Sequence, residues 1–498
     1  MSESKTKSGG VTYEKVGTEY FDKRGLRRHA GVFSLWALGV GAVISGQFSG
    51  WNLGLAFGWG SMFLATIIIT IMYLGLTYSI AEMSPALPHT GGAYSFARSA
   101  MGPLGGFLTG VAENIEYVLT PAVIVYFIGS YLGAIFETGP QFQPIYWIGG
   151  YAIFLAFNLF GVELSFRVTV LVTVLALGIL VFFYVNALPV ADFSKWAMNL
   201  GVGPDGSAVV LEDGNGPFLP FGIHGVLGAL PFAVWLFLAI EQLPLAAEES
   251  VDPRRDMPKG ILLGMFTLIA SAFAVLYLNS SIAPGAFGLS TSGEPLLDGF
   301  RTLFGTDIAN LLALAAIIGL VASFHAIIYA FGRQIYSLSR AGYFPRGLSV
   351  THGTHKTPYV ALLAGTLVGL GVMLIVFYGY GADEGGALIG AVLLNMAVFG
   401  AMISYVMQGA SFILLRHRMP HIERPYRSPF GILGAVLTIV IALVTIYFQV
   451  TDPSFQVPVI AVAVYYGIMV LYFLLIGRHK LVFSPEEEFA VTGGKSSH

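Results

Sequence analysis

The sequence predicts an all-α integral membrane protein with about twelve transmembrane helices. Two observations predict it, and a third supports the count. Hydrophobic residues make up 55% of the chain and charged residues only 11%, against roughly 25% charged in a soluble domain. Apolar runs of the ~20 residues needed to cross ~30 Å of hydrocarbon recur along the whole chain. Backbone groups in lipid must bond within their own segment, so such runs read as helices. The third observation is an alternation of charge between successive loops.

The spans are placed at 31–57, 59–83, 104–135, 144–161, 167–188 and 224–247, then at 259–283, 308–340, 357–379, 386–416, 431–450 and 456–477. Cations fill the N-terminal tail (residues 1–30) and every second loop after it. Those loops hold Arg98, then Arg167, then Arg254, Arg255 and Lys259, then Arg340, Arg346 and Lys356, then Arg416, Arg418, Arg424 and Arg427. The C-terminal tail (478–498) adds Arg478, Lys480 and Lys495. The opposite loops carry only Lys195 and Arg301 among acids such as Glu212, Asp213, Asp383 and Glu384. By the positive-inside rule both termini are expected in the cytoplasm. An error in the number of spans would scramble the alternation. The first 30 residues are polar and charged, so no cleavable signal peptide is expected.

With no cysteine in the chain, disulfides, thiol catalysis and cysteine-held metal are ruled out. The net charge of −3 gives no electrostatic footprint for nucleic acid. Within the spans there is no HExxH, no GxSxG elbow and no metal-ligand cluster. Neither an enzyme, a cofactor nor a resident metal is expected. His352 and His355 sit in a polar loop and read as just that.

The first span is unusual. Gly39, Gly41, Gly46 and Gly50 sit among Ser45, Gln47 and Ser49, where a membrane helix should be most regular. Glycine costs up to ~1 kcal/mol relative to alanine inside a helix. Two readings are open: close packing through small residues, or an interrupted helix whose unwound turn offers peptide groups to a solute. The sixth span has a matching feature, with Glu241 at its middle between Pro231 and Pro244. A mid-membrane charge costs on the order of 3 kcal/mol on insertion scales. Spans one and six each open a group of five, the first from one side of the membrane and the second from the other, as inverted repeats require.

The segment Ala246-Ala247-Glu248-Glu249-Ser250-Val251-Asp252-Pro253-Arg254-Arg255-Asp256-Met257-Pro258-Lys259-Gly260 resembles the corresponding loop of the amino acid–polyamine–organocation (APC) superfamily. Ala81-Glu82-Met83-Ser84 through Pro88-His89-Thr90-Gly91-Gly92-Ala93-Tyr94, Asn158 with Gly161, and Ser339-Arg340-Ala341-Gly342-Tyr343-Phe344-Pro345 match in the same order. Within the superfamily, Glu113 to Val125 and Gly332-Arg333-Gln334-Ile335-Tyr336 resemble bacterial ethanolamine permeases. The resemblance implies a LeuT-type core at 31–416, made of inverted repeats 31–188 and 224–416 with broken helices 1 and 6. Two peripheral helices (417–477) follow. It further implies a secondary transporter of the inner membrane, working by alternating access on a small amine. Ethanolamine is the first expectation, with proton coupling or exchange as modes. An amino acid or polyamine transporter or antiporter of the same superfamily is the alternative. A channel or transporter-like sensor is less favoured.

In amino-acid members the unwound turn of the first span holds the substrate carboxylate, and carbonyls of the sixth hold the amine. The first position here is Ser45, Gly46 and Gln47. A side-chain amide both donates and accepts, which suits a hydroxyl, although Gln47 could instead join two helices. Glu113, Glu116 and Thr120 share one helical face. Comparison with the arginine/agmatine antiporter of the superfamily puts Glu116 in the pocket, Trp235 over the substrate and Glu241 at an acid linked to release. Glu116 and Glu241 are the candidate proton carriers. Phe237, through its carbonyl in the broken turn, the mid-span His325 and the hydroxyl of Tyr405 complete the substrate-binding set. Some members carry a lysine in span five. The matching stretch here, Thr173 to Leu177, has none, so coupling by that device is not expected.

Overall fold

The structure is a computed structural model that describes residues 28–88, 91–160, 162–380 and 382–482, with 5–8, 11–14, 20, 23 and 26 of the N-terminal segment. Each expected span falls on helix. Among the described residues, ten helices are individually long and apolar enough to cross a membrane, and eleven if a bent first pair counts as one span. The remaining expected span, the fourth, is the helix Gln143–Leu159. Its 17 residues fall short of the usual ~20.

The long, glycine-rich first run does not form one straight helix. Val32–Phe48 and Trp51–Phe57 meet at 43°. The second span is Trp59–Ala86. The third is the C-terminal part of Gly92–Phe136, where Gly102 (φ 80°) before Pro103 breaks the helix and separates a largely buried stretch from the span. The fifth is Val162–Ala187. The sixth runs as helix Gly222–Trp235 and resumes as the 3-10 segment Ile240–Glu249. The rest are Pro253–Ser280, Thr306–Arg340, Tyr359–Tyr380, Ala382–Arg418, Gly431–Thr451 and Gln456–Leu475.

Burial sorts these helices into a centre and a rim. In the sixth span 83% of the apolar window is buried, in the twelfth only 11%. The twelfth carries exposed Ile460, Ile468, Leu471 and Leu475 on its outer surface. Apolar side chains stay exposed there because lipid, not water, is their solvent. The first span packs on the fifth, seventh and eighth, and the sixth on the first, second and seventh, so the interrupted helices lie inside the bundle.

Short strands lie outside the helices. The N-terminal tail supplies strands β1 (Lys5–Ser8) and β2 (Val11–Glu14). Most of 21–26, read as a surface amphipathic piece, lies outside the described residues. β1 pairs antiparallel with β2, and β2 pairs parallel with a strand at Leu481–Val482. β2 and the C-terminal strand therefore lie on one face of the bundle. The segment 195–222 holds a hairpin, β3 (Leu200–Val202) with β4 (Ala208–Val210). Asn199 fastens it to the loop after the seventh span, donating to the Pro284 carbonyl at 3.0 Å and accepting from Phe287 N–H at 2.8 Å. The C-terminal strand at Leu481–Val482 is β5.

Candidate functional site

The two interrupted helices break at the same depth, against each other. In the first, helix ends at Val43 and a single turn, Ser45–Phe48, follows. The chain then extends at Ser49 (φ −160°, ψ 160°) and reverses at Gly50 (φ 92°). Ser323 of the eighth span bridges the discontinuity. Its hydroxyl accepts from Ser45 N–H at 2.8 Å and donates to the Gly41 carbonyl at 2.6 Å. Glycine at 46 is a steric necessity, because a Cβ there would sit 2.3 Å from the Trp235 carbonyl oxygen.

The sixth span loses its helical path after Trp235. Ala239 adopts the left-handed conformation (φ 82°), which a residue with a Cβ rarely takes. The Glu241 carboxylate caps this turn, accepting from Ala239 N–H at 3.1 Å. Trp235 ties the two breaks together by donating from Nε1 to the Ser49 carbonyl at 3.0 Å.

Beside the breaks lies a buried acid–aromatic cluster. Glu116 and Glu241 bring their buried carboxyl groups close to one another, and the Tyr405 hydroxyl lies near Glu241. The Tyr405 and Tyr73 hydroxyls are 2.9 Å apart. The Phe237 ring packs on Tyr73 with centroids 5.4 Å apart. Neither oxygen of Glu116, nor Oε2 of Glu241, accepts a hydrogen bond from a protein donor among the described residues. Buried carboxyl oxygens without donors are rare and call for a proton, water or ligand. Glu113, one turn away, differs: it accepts from Gln334 Nε2 at 3.0 Å and Tyr117 Oη at 3.4 Å.

Other expected residues are placed elsewhere. Gln47 joins the first span to the seventh, donating to the Leu268 carbonyl at 3.3 Å and accepting from the Ser271 hydroxyl. Its amide is thus engaged in helix packing. His325 faces the fourth span, with Asn158 Nδ2 3.1 Å from its Nδ1 and the Phe154 and Phe157 rings around it. Thr120 donates back to the Glu116 carbonyl at 2.7 Å. Thr173, at the position where a lysine was sought, donates to the Ala37 carbonyl at 3.0 Å. Sequence reasoning missed Tyr73, because a tyrosine in an apolar run carries no signal of its own. No group of three or more His, Asp or Glu able to hold a metal is found among the described residues.

Both ends of the cluster are covered. On the side of the docked hairpin, Tyr131 donates to the Phe48 carbonyl at 2.9 Å and Ser49 Oγ to the Gly293 carbonyl at 3.2 Å. Asn52 Nδ2 holds the Leu289 and Ser292 carbonyls at 2.6 and 2.8 Å. On the side of the termini, Arg333 pairs with Glu249 at 2.8 Å, both buried, and Tyr329 donates to the same carboxylate. Arg340 pairs with Glu248 at 2.6 Å. The Glu249 carbonyl accepts from His29 and Ala30 N–H at 2.8 and 2.9 Å, locking the start of the first span to the end of the sixth.

An all-helical membrane bundle with two facing helix breaks and a covered polar centre defines a solute carrier. The amino acid permease family model matches residues 31–472, and the chain belongs to that family, within the APC superfamily. It is similar to an uncharacterized transporter of Rhizobium meliloti, at 28% identity over 86% of this chain and 88% of the relative. It is also similar to the branched-chain amino acid permease BcaP of Bacillus subtilis, at 26% over 82% and 85%. A methylthioribose transporter of Bacillus subtilis is 24% identical over 92% and 95%. The protein is thus a multi-pass membrane transporter of small molecules and not an enzyme.

Proposed function

We propose that the protein carries a small amine, ethanolamine in the first place, across the cytoplasmic membrane by alternating access, with both termini in the cytoplasm. The observation that carries this reading is the buried pair Glu116 and Glu241, three of whose four carboxyl oxygens have no protein donor among the described residues. An ammonium group is a dense set of donors, and buried carboxyl oxygens beside aromatic rings are the acceptors it needs. Two carboxyl groups this close cannot both ionise in a dry site. The pair would therefore exchange a proton for the ammonium, which makes proton coupling or exchange the favoured modes. Potential-driven uptake remains compatible, since a monovalent cation gains ~2.3 kcal/mol per 100 mV on entering a negative interior. The reading includes a twelve-span, five-plus-five arrangement, with the breaks at Ser49–Gly50 and 236–239 as its related pair.

A second reading is an amino acid substrate, favoured by the branched-chain amino acid permease among the relatives. Its carboxylate would meet the peptide groups of the first break and its amine the same acids. Thermal stabilisation of the purified protein separates the two, because a ligand that binds only the folded state raises its stability. Ethanolamine is expected to raise the melting temperature more than alanine, leucine or arginine do. Stabilisation by an amino acid without any by ethanolamine would replace the first reading with the second.

A further inference from the structure

The tenth span, Ala382–Arg418, ends in a basic run, and the loop behind it folds back over the end of the second span. Glu82 is buried there. Its carboxylate accepts from Arg416 Nε at 2.9 Å, Arg416 Nη2 at 2.5 Å and Ser428 N–H at 2.8 Å. Arg424 Nε pairs with the same carboxylate at 3.2 Å. The remaining Arg424 donors bind the Leu415, Met419 and Ile422 carbonyls at 3.0 to 3.1 Å, which fixes the guanidinium in place. Arg427 stands exposed at the rim.

Glu82, Arg416, Arg424 and Arg427, with Pro420, line an open pocket of about 250 Å³. A narrower apolar cleft continues from it, lined in part by Met83, Leu87, Phe412 and Ile422. Three guanidinium groups face one carboxylate, so the pocket carries an excess of positive charge. The other acid of the loop, Glu423, points away to Arg254 at 3.0 Å. Arg424 reflects the excess: burial lowers its pKa from the ordinary value, Glu82 opposes this, and Arg416 and Arg427 add to the lowering. Arginines placed only to orient the spans need no common target. Here they converge on one opening, beside an apolar cleft at the end of the helices.

We propose that this pocket is a binding site for a phosphate-bearing anion, supplied by an anionic phospholipid headgroup or by a soluble phosphate compound. Guanidinium groups match phosphate oxygens in a planar fork, and basic pockets between membrane helices are recognised headgroup sites.

The test titrates the purified full-length protein with phosphatidylglycerol, phosphatidylcholine or inorganic phosphate at constant ionic strength, reading the melting temperature. Wild type, Arg427→Lys, Arg427→Gln and Arg427→Glu are compared. Phosphatidylglycerol is expected to stabilise wild type and Arg427→Lys. For Arg427→Gln the titration midpoint is expected about fivefold higher, and for Arg427→Glu higher still. The same pattern with inorganic phosphate alone assigns the site to a soluble anion. If all four proteins respond alike to each probe, or if phosphatidylcholine stabilises as well as phosphatidylglycerol, the proposal is overturned.

Discussion

At the scale of single residues the acids matter most. Glu116 and Glu241 were legible in the sequence because a carboxyl group in mid-membrane is expensive and persists only for a reason. Their closeness was not legible, since Glu116 and Glu241 lie on different helices. If they bind the amine and carry the proton, Glu116→Gln and Glu241→Gln should each reduce labelled-amine uptake into proteoliposomes at least tenfold and flatten its pH profile. Wild-type rates and profiles in both variants would remove the site from these residues. Gly46 makes an independent prediction. Alanine there would place its Cβ 2.3 Å from a backbone oxygen that cannot move freely. Gly46→Ala should cost ~1–3 kcal/mol of stability, the usual range for overpacking, and lower the melting temperature. Gln47 and His325 teach the opposite lesson. A polar side chain in a span announces that it needs a partner, but not which one. The partners of Gln47 are more than 200 residues away in sequence.

At the scale of elements, the breaks are held by bridges between helices. Glycines and serines in the first span marked its irregularity, and prolines flanking Glu241 marked the sixth. The unwinding falls at Ser49–Gly50 and at 236–239, a few residues beyond the serine–glycine–glutamine turn singled out in the first span. The reason lies on neighbouring helices: Ser323 satisfies Ser45 and Gly41, and Trp235 satisfies Ser49. Ser323→Ala would leave a buried N–H and a buried carbonyl without this partner. It should destabilise the protein by ~1–3 kcal/mol, as read by thermal unfolding. Glu249 and Arg333 link the sixth and eighth spans as a buried pair. Removing one partner strands the other charge, at a typical cost of 3–5 kcal/mol. Arg333→Leu should therefore destabilise strongly, and adding Glu249→Leu should restore much of the loss. Additive losses in the double variant would show that the pair is not coupled.

At the scale of the whole molecule, the bundle has its apolar rim in lipid and its polar centre closed at both ends. The tail sheet puts β2 and β5 on one face. The absence of native cysteine makes orientation directly measurable. A single cysteine at exposed Arg255 should resist a membrane-impermeant maleimide in intact cells, and one at exposed Lys195 should react. The reverse pattern would invert the proposed topology. Counterflow of labelled substrate tests the carrier cycle as a whole. Trans-stimulation and saturation are expected, and neither would be seen in a channel.

The sequence by itself determined the membrane class, the position of each apolar run, the charge alternation between runs and the two spans that depart from regular helix. These properties are local: hydropathy over ~20 residues, charge between runs, and glycine or acid within one. Tertiary structure alone decided which polar groups meet. It brought Glu116 to Glu241 and Tyr405 to Tyr73, drew Gln47 and His325 into helix packing, folded the 195–222 segment into a docked hairpin and joined the tails in a sheet. Each of those outcomes depends on hydrogen-bond partners far apart in the chain, and lipid leaves a buried polar group no alternative but to find one.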